Sequence, residues 1–297
     1  MCSPKIQLFI LITFYISAKD CFMKTQTLKC KNCTTILVLI IQMLFSFNLF
    51  AQIKYEYGGV VRGDSLEKSL SLVFTGHEFA EGGDEILNTL GRFDVKASFF
   101  LTGDFYRNPD FETLIHKIKN EGHYLGAHSD KHLLYCSWED RNLLLVDREA
   151  FENDLRDNYF QMKRFGLSWE DAPYFLPPYE WYNDSISQWS NNMGLKLVNF
   201  TRGTKSQADY TDPSMGNYVS SKEIFESIQV YEANSPSGLN GFMLLTHIGV
   251  GDKRKDKFYK MLPDLLHWLK KNGYSVVPLE VLFGEGKVFY PKLSKLF

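Results

Sequence analysis

The sequence predicts an α/β fold in which about seven strands form a distorted (β/α) barrel. Three observations predict it. From Ser65 onward, short apolar runs alternate with amphipathic helical segments about seven times, as in a parallel sheet with helices outside. The chain has 297 residues, which is enough for one large core. Residues that can carry chemistry follow four of the predicted strands, at the edge where such folds place their active sites.

The predicted strands and helices follow one another in strict alternation. The strands are expected at residues 70–74, 95–101, 123–127, 174–176, 195–200, 241–246 and 274–278. The helices are expected at about residues 83–93, 110–120, 148–165, 184–193, 221–233 and 257–272. Gly122 and Gly194 mark two helix ends, and Pro177 stops a strand. A polar segment, residues 201–218, is predicted to be a long loop.

The first 51 residues are predicted to be an N-terminal extension and a signal peptide. A basic region precedes the apolar run 36–51, which ends in the small residue Ala51. We predict that translation starts at Met23 and that cleavage follows Ala51. Polar residues within the run disfavour a membrane span. The mature domain, residues 52–297, is therefore expected to be exported to the periplasm or secreted, with no stable membrane insertion after cleavage.

Composition narrows the possible functions of this domain. The formal net charge of −2 gives no electrostatic footprint for nucleic acid. The aromatic content of 15% is high, and it can be absorbed by core packing or by open sites that hold sugar rings. Cys136 is the sole cysteine after residue 51. Hence the mature domain has no internal disulfide and depends on its core for stability.

Two histidines four residues apart, His128 and His132, lie directly after a predicted strand. This spacing places the imidazoles one helical turn apart, so that both can face one point. Paired imidazoles commonly hold a divalent metal, with a third ligand supplied from elsewhere in the chain. We therefore predict a metal site here.

Three other predicted strands end in motifs that can carry chemistry. These are Phe74-Thr-Gly-His-Glu78, Leu176-Pro-Pro-Tyr-Glu-Trp181 and Leu244-Leu-Thr-His247. With His128-Ser-Asp-Lys-His132, the set resembles the polysaccharide deacetylases of carbohydrate esterase family 4, over roughly residues 70–282. In that family a His-Ser/Thr-x-x-His motif supplies two metal ligands. A proline–aromatic pair, here Pro178-Tyr179, builds one groove wall, and a late Leu-x-x-His brings the general acid.

The resemblance implies a metal-dependent hydrolase that removes acetyl groups from N-acetylated or O-acetylated carbohydrate. It implies that His247 is the acid that protonates the departing sugar amine, a role that a near-neutral pKa suits. Tyr179 and Glu180 are close enough in sequence to line the same pocket. Trp181 is interpreted as part of a sugar platform, with plain packing as the alternative.

Two motifs depart from the family's pattern. The family's strand ends in Thr-Phe-Asp-Asp, in which the first Asp is the base and the second a metal ligand, whereas this strand ends in Thr75-Gly76 followed by His77-Glu78. Leu176 replaces the arginine that orients the family's base. From the residues present, His77 completes a three-imidazole set that suits zinc, and Glu78 is the base that activates water. The reverse assignment, with Glu78 on the metal and His77 as base, follows the family's order more literally.

Two other functions remain open at this point. A carbohydrate-binding pseudoenzyme would keep the barrel but lack chemistry, and it is favoured if His77 and Glu78 both point to solvent. An amidase for a small non-sugar substrate is favoured if the loop 201–218 closes the pocket, whereas an open groove favours polymers. Asp209 in that loop is interpreted as a solvated carboxylate rather than a partner of His247.

Overall fold

The computed structural model describes residues 53–284, all within one compact unit of the chain. An antiparallel hairpin comes first, formed by β1 (Lys54–Glu56) and β2 (Gly59–Arg62). The main sheet contains β3 (Ser69–Gly76), β4 (Ser98–Leu101), β5 (Tyr124–Ala127), β6 (Tyr174–Phe175), β7 (Lys196–Leu197), β8 (Phe242–His247) and β9 (Ser275–Val276). Its seven strands are parallel, in the order β7-β6-β5-β4-β3-β8 with β9 beside β3. The sheet curls into an incomplete barrel, which confirms the predicted α/β architecture.

Side-chain caps mark the starts of two helices, and glycines with positive φ mark the ends of two others. In the described residues the helices are α1 (Gly83–Phe93), α2 (Gly103–Arg107), α3 (Glu112–Asn120), α4 (Arg148–Met162), α5 (Asp184–Asn192), α6 (Ser221–Asn234), α7 (Leu262–Lys271) and α8 (Leu279–Leu282). The Asp147 side chain caps α4, and Ser220 with Glu223 forms a capping box at α6. Gly122 and Gly194 adopt positive φ just beyond α3 and α5, so both predicted stops are confirmed.

The register of the sheet decides which side chains can meet. Thr75 near the end of β3 lies beside His247 at the end of β8. Leu101 at the end of β4 pairs with Ala127 at the end of β5. Because these carboxyl ends lie at one level, the residues that follow β3, β5 and β8 converge on a single region.

The gap between the edge strands β7 and β8 is filled by irregular pairing. The N–H of Asn199 donates to the carbonyl of Val60 in β2 at 2.8 Å, and the N–H of Thr201 donates to that of Met243 in β8 at 3.0 Å. The Thr201 hydroxyl donates to Val61 at 2.6 Å. The hairpin therefore helps to close the barrel, although the sequence pattern predicted no element before residue 70.

The remaining differences from the predicted elements are two short helices that the pattern did not predict, α2 and α8, and differences in length. β6 and β7 have two residues each, because β6 meets the Pro177-Pro178 pair and the chain beyond β7 turns away to bond with β2 and β8. Helix α7 begins at Leu262, after a short 3₁₀ turn at Phe258–Met261. Between residues 53 and 284, none of the helices combines the length and apolar character that a membrane crossing requires.

Candidate active site

The two histidines of the predicted metal site follow β5, but they do not lie on a helix. Residues 128–134 are irregular, and Ser129 and His132 have positive φ angles of 73° and 56°. The helical spacing inferred from the sequence is therefore wrong. The left-handed residues reverse the chain instead, and they place the His128 and His132 ring centroids 5.1 Å apart. Such a conformation costs about 1–3 kcal/mol for a non-glycine residue, and it is concentrated at functional sites.

His128 is held so that one ring nitrogen stays free. The residue is 2% exposed, and its Nδ1 lies 2.8 Å from the carbonyl oxygen of Leu176, which can only accept. Nδ1 therefore carries the proton, and Nε2 keeps the lone pair that a metal ligand needs. Burial lowers the pKa of His128 to about 3. Burial, with the neighbouring His128 and His77, lowers the pKa of His132 to about 2, so both rings are neutral at about pH 7.

His77 follows β3 and joins these two rings, whereas Glu78 does not. The His77 ring stacks on that of His132, with centroids 4.7 Å apart and planes at 9°, and its Nδ1 lies 3.2 Å from Thr102 Oγ1. Glu78 is exposed, and its carboxylate has no hydrogen bond or ion pair with any described residue. As the side chains stand in residues 53–284, no group of three or more His, Cys, Asp or Glu is arranged to hold a metal ion.

His247 ends β8 and is paired with a buried carboxylate. Asp209 lies in a short 3₁₀ turn, Ser206–Tyr210. Its Oδ1 lies 2.6 Å from His247 Nδ1 and its Oδ2 accepts the backbone N–H of His247 at 2.9 Å. Burial acts to lower the pKa of His247, but the carboxylates of Asp209 and Glu180 outweigh it and raise the pKa. Asp209 is 3% exposed, so its interpretation as a solvated loop carboxylate is wrong.

A strained turn after β6 carries Tyr179 and Glu180. Both residues have positive φ, 59° and 54°. The Tyr179 ring lies over His132, with centroids 4.4 Å apart. The backbone carbonyl of Glu180 accepts a hydrogen bond from Asn199 Nδ2 at 2.8 Å, which fixes the turn against the closing segment of the barrel.

The electrostatic surroundings of Glu180 are those of a poised acid–base group. Burial raises the pKa of this carboxyl to about 7, with Asp209 acting in the same direction and His247 and Arg202 opposing it. A group with a pKa near the working pH can both accept and release a proton. Sequence reasoning placed Glu180 in the pocket but gave no signal of this shift, since burial depends on residues distant in the chain.

One cavity of about 720 Å³ joins these groups. The predicted site residues that line it are His77, Glu78, His128, His132, Tyr179, Glu180 and His247. Trp181 instead lines an adjoining cavity. Tyr210 and Met215 of the 201–218 loop also line the larger cavity, but they remain 46% and 40% exposed. The loop therefore flanks the cavity without sealing it.

Comparison with known proteins assigns part of this chain to a family. A family model described as polysaccharide deacetylase matches residues 62–198, which contain three of the four strand-end motifs. This part of the chain is a polysaccharide deacetylase domain.

Relatives of this deacetylase domain span most of its length. A peptidoglycan-N-acetylglucosamine deacetylase of Bacillus cereus is 26% identical over 220 residues, which cover 73% of this chain and 88% of that protein. The peptidoglycan-N-acetylmuramic acid deacetylase PdaA of Bacillus subtilis is 22% identical over 239 residues, 80% of each chain.

Solved structures of the family share the fold of this deacetylase domain. That of Bacillus subtilis PdaA has a TM-score of 0.60 and 21% identity, and the match covers 78% of this chain and 87% of that one. A carbohydrate esterase family 4 pseudoenzyme from Bacillus anthracis also has a TM-score of 0.60, with 16% identity over 77% and 70% of the two chains. At these identities the likeness shows the fold.

In this deacetylase domain, Leu176 stands in place of the family's arginine and has a different structural role. The Leu176 side chain is buried at 1% exposure, and it carries no charge that could orient a base. Its backbone carbonyl instead accepts a hydrogen bond from His128 Nδ1–H. The third motif therefore orients His128 through its main chain.

Two residues of α4, which sequence reasoning missed, hold the histidine loop. Asn158 Oδ1 accepts the backbone N–H of His128 at 2.9 Å. Asp154 Oδ1 accepts the N–H groups of residues 130 and 131 at 3.2 and 3.1 Å, and its Oδ2 accepts the Tyr135 hydroxyl at 2.7 Å. The available signal was two polar residues spaced i, i+4 on the predicted helix, a spacing that places them on one face.

Replacing Asp154 by alanine is expected to lower the free energy of unfolding by about 3 kcal/mol, because buried donors lose an ionised acceptor. Urea denaturation measures the change. Asp157→Ala removes an exposed carboxylate from the same helix, and it is expected to change stability by less than about 0.5 kcal/mol. Equal losses in the two variants would contradict an anchoring role for Asp154.

Proposed function

We propose that this protein is a metal-dependent hydrolase that removes acetyl groups from N-acetylated or O-acetylated carbohydrate. The observation that carries the proposal is that three imidazoles, a carboxylate and a His–carboxylate pair meet at one cavity of about 720 Å³. Its size lies within the range of about 300–1,000 Å³ that is typical of small-molecule sites. Relatives named as peptidoglycan deacetylases support a carbohydrate substrate.

A divalent metal suits the donor set of this cavity. Family members generally use one, and the structure of an acetyl xylan esterase from Clostridium thermocellum contains cobalt. His128 and His132 offer neutral rings, and His77 lies against His132 as a third imidazole. Three such ligands are typical of catalytic zinc, so we propose zinc held by His77, His128 and His132. When bound, it would polarise the acetyl carbonyl and stabilise the oxyanion that water attack creates.

The protons are moved by residues of the chain itself. Glu180 takes a proton from the attacking water as the new C–O bond forms and the carbonyl π electrons move to oxygen. His247, protonated and oriented by Asp209, gives its proton to the leaving nitrogen or oxygen as the bond to the acetyl carbon breaks. Acetic acid and a free amine or hydroxyl result. Transfer of one proton from Glu180 to His247 restores the starting state.

Glu78 is the alternative base, as the sequence pattern suggests. Three features favour Glu180. It is close enough to His247 for each to shift the other's pKa, its own pKa is raised to about 7, and it lies on the strained turn that contacts the histidine cluster. Glu78 is exposed and unpaired in the described structure.

Export is part of the proposal. It rests on the signal peptide predicted within residues 1–51, and so on sequence that lies outside the described residues. A polymeric acetylated glycan at the cell surface is the substrate that such a location would offer.

A carbohydrate-binding pseudoenzyme is the second candidate function. The observation in its favour is that Leu176 and His77-Glu78 replace the family's arginine and paired aspartates. This candidate predicts glycan binding in the same cavity without release of acetate. An amidase for a small non-sugar substrate is less favoured, because the loop with Tyr210 and Met215 leaves the cavity open.

Acetate release tests the proposed function. The purified protein is incubated with oligomers of N-acetylglucosamine and with O-acetylated xylan, before chelation, after chelation and after zinc is restored. We expect acetate from at least one of the two glycan classes, loss of release on chelation and recovery with zinc. Glycan binding without acetate would support the pseudoenzyme, and cleavage of small N-acyl compounds alone would support the amidase.

A further inference from the structure

Arg254 is fully buried, at 0% exposure, although its guanidinium group is charged. It lies in the loop between β8, which ends at His247, and α7. It is not among the residues that line the cavity of the candidate active site. Since burial of a charge is costly unless the group is hydrogen-bonded and paired, the contacts of this guanidinium group indicate what it stabilises.

The guanidinium group joins three segments of the chain. Its Nη1 donates to the carbonyl of Thr211 at 2.6 Å, its Nε donates to the carbonyl of Asp256, and its Nη2 donates to Ser221 Oγ at 3.2 Å. Nη2 also lies 3.6 Å from Asp256 Oδ2. The planar fork of an arginine can hold several acceptors in fixed directions, which a lysine ammonium cannot do. The start of α6 and the end of the segment before it are thereby fixed to the loop that follows β8.

Thr211 follows the 3₁₀ turn that carries Asp209. Its hydroxyl donates to the carbonyl of Ala208 at 2.7 Å and accepts the N–H of Val219 at 3.1 Å. Its own N–H donates to the same Ala208 carbonyl at 3.0 Å. Because Ala208 and Thr211 lie on either side of Asp209, these bonds close the turn around it. A displacement of Thr211 would therefore move Asp209 as well.

The turn must be fixed at both ends for Asp209 to keep its two bonds to His247. At the start of the turn, the N–H of Lys205 donates to Ser227 Oγ on α6 at 2.9 Å. At its end, the carbonyl of Thr211 is bound by Arg254. The two carboxylate oxygens of Asp209 lie 2.6 and 2.9 Å from their partners in His247. A misplacement of about 1 Å in such a group can cost about 10²-fold in rate.

We propose that Arg254 is a positioning residue that holds Asp209 against His247 through Thr211. It acts through the backbone of the turn rather than on His247 directly. The inference rests on the proposed function in one respect, that His247 protonates the leaving group. The neighbours of Thr211 on either side line the cavity, so a role confined to the shape of the cavity wall is the alternative that the test must separate.

The first measurement needs no substrate. The proton between His247 Nδ1 and Asp209 Oδ1 lies in a short hydrogen bond to a carboxylate, so we expect a proton NMR signal far downfield of the backbone amides. The signal is assigned by its absence from Asp209→Asn. We expect Arg254→Met to lose this signal or to shift it upfield, because methionine fills much of the space but donates no hydrogen bond. An unchanged signal in folded Arg254→Met, or a wild type without the signal, would overturn the inference.

Two control variants separate positioning from a general loss of stability. Lys255→Met makes a similar exchange at the exposed neighbouring residue, and Leu269→Ala weakens the core from a fully buried position on α7. Both are expected to keep the signal, and its loss from folded Leu269→Ala would contradict a specific role for Arg254. If Arg254→Met does not fold, Arg254→Lys replaces it. That variant keeps the charge without the planar fork and is expected to lose the signal, and retention of the signal would overturn the inference.

Steady-state kinetics of acetate release give the second readout. We expect kcat to fall by about 10–100-fold in Arg254→Met with little change in KM, because the acid is no longer oriented in the transition state. A rise in KM with kcat unchanged would overturn the inference in favour of a role in the cavity wall alone. If the wild type releases no acetate, the proposed function falls, whereas the NMR signal still decides whether Arg254 holds Asp209 against His247.

Discussion

Replacing His128 by alanine is expected to abolish metal binding and acetate release together. Its Nε2 is free because Nδ1 donates to Leu176, and burial keeps the ring neutral by lowering its pKa to about 3. Loss of this ligand should weaken metal binding by more than about 100-fold, since outer-shell changes alone reach about that size. Elemental analysis of the purified protein gives the metal content per chain, and acetate release is measured on the same sample.

A surface histidine provides the control for this variant. His267 on α7 is exposed, so His267→Ala is expected to keep both metal and activity. Because His128 is buried, thermal unfolding of the variant must show a cooperative transition before its metal content is interpreted. His132→Ala offers an independent second variant. Full metal content in both site variants, each folded, would contradict the proposed metal site.

The convergence of the site could be predicted because it follows from chain direction. In a parallel sheet all strands end at one edge, so motifs after β3, β5, β6 and β8 must meet there in whatever order they occur in sequence. His77 and His128 follow two of these strands, His247 ends a third, and all three line one cavity. The alternation of apolar and helical segments was therefore enough to predict that these distant residues lie close together.

The features of the site that could not be predicted from the sequence depend on long-range contacts and on backbone conformation. The i, i+4 spacing of His128 and His132 suggested a helix, but left-handed residues at Ser129 and His132 bring the rings together instead. Asp209 belongs to a polar segment, yet the return of the chain toward β8 buries it against His247. No local sequence pattern predicts the left-handed residues or the burial of Asp209.

The hairpin shows the same limit. Tyr57 and Trp181 are more than a hundred residues apart, and Arg141 between them comes from a third segment. No local pattern distinguishes Tyr57 or Arg141 in the sequence, and the sequence alone leaves Trp181 between a sugar platform and plain packing. They line one cavity only because the barrel closes around β2.

Exchanging Glu180 for glutamine is expected to reduce kcat by about 10²–10⁴-fold, the usual contribution of a general base. Glutamine keeps the size and hydrogen-bonding reach of the side chain but cannot accept the proton of the attacking water. Glu78→Gln is the matched comparison, since the larger loss identifies which carboxylate is the base. A large loss in Glu78→Gln with a small one in Glu180→Gln would overturn our assignment and restore that made from sequence alone.

The pH profile distinguishes a base from a residue that only shapes the cavity. Glu180 must be ionised to act, so kcat/KM should rise as pH increases through about 7, where its pKa lies under the influence of His247, Asp209 and Arg202. His247 must be protonated, and since its pKa is raised, activity should fall only at higher pH. In Glu180→Gln the rise should disappear while the fall remains. If Glu180 had only a structural role, the variant would lower the whole profile without removing either side of it, because another residue would be the base that sets the rising side.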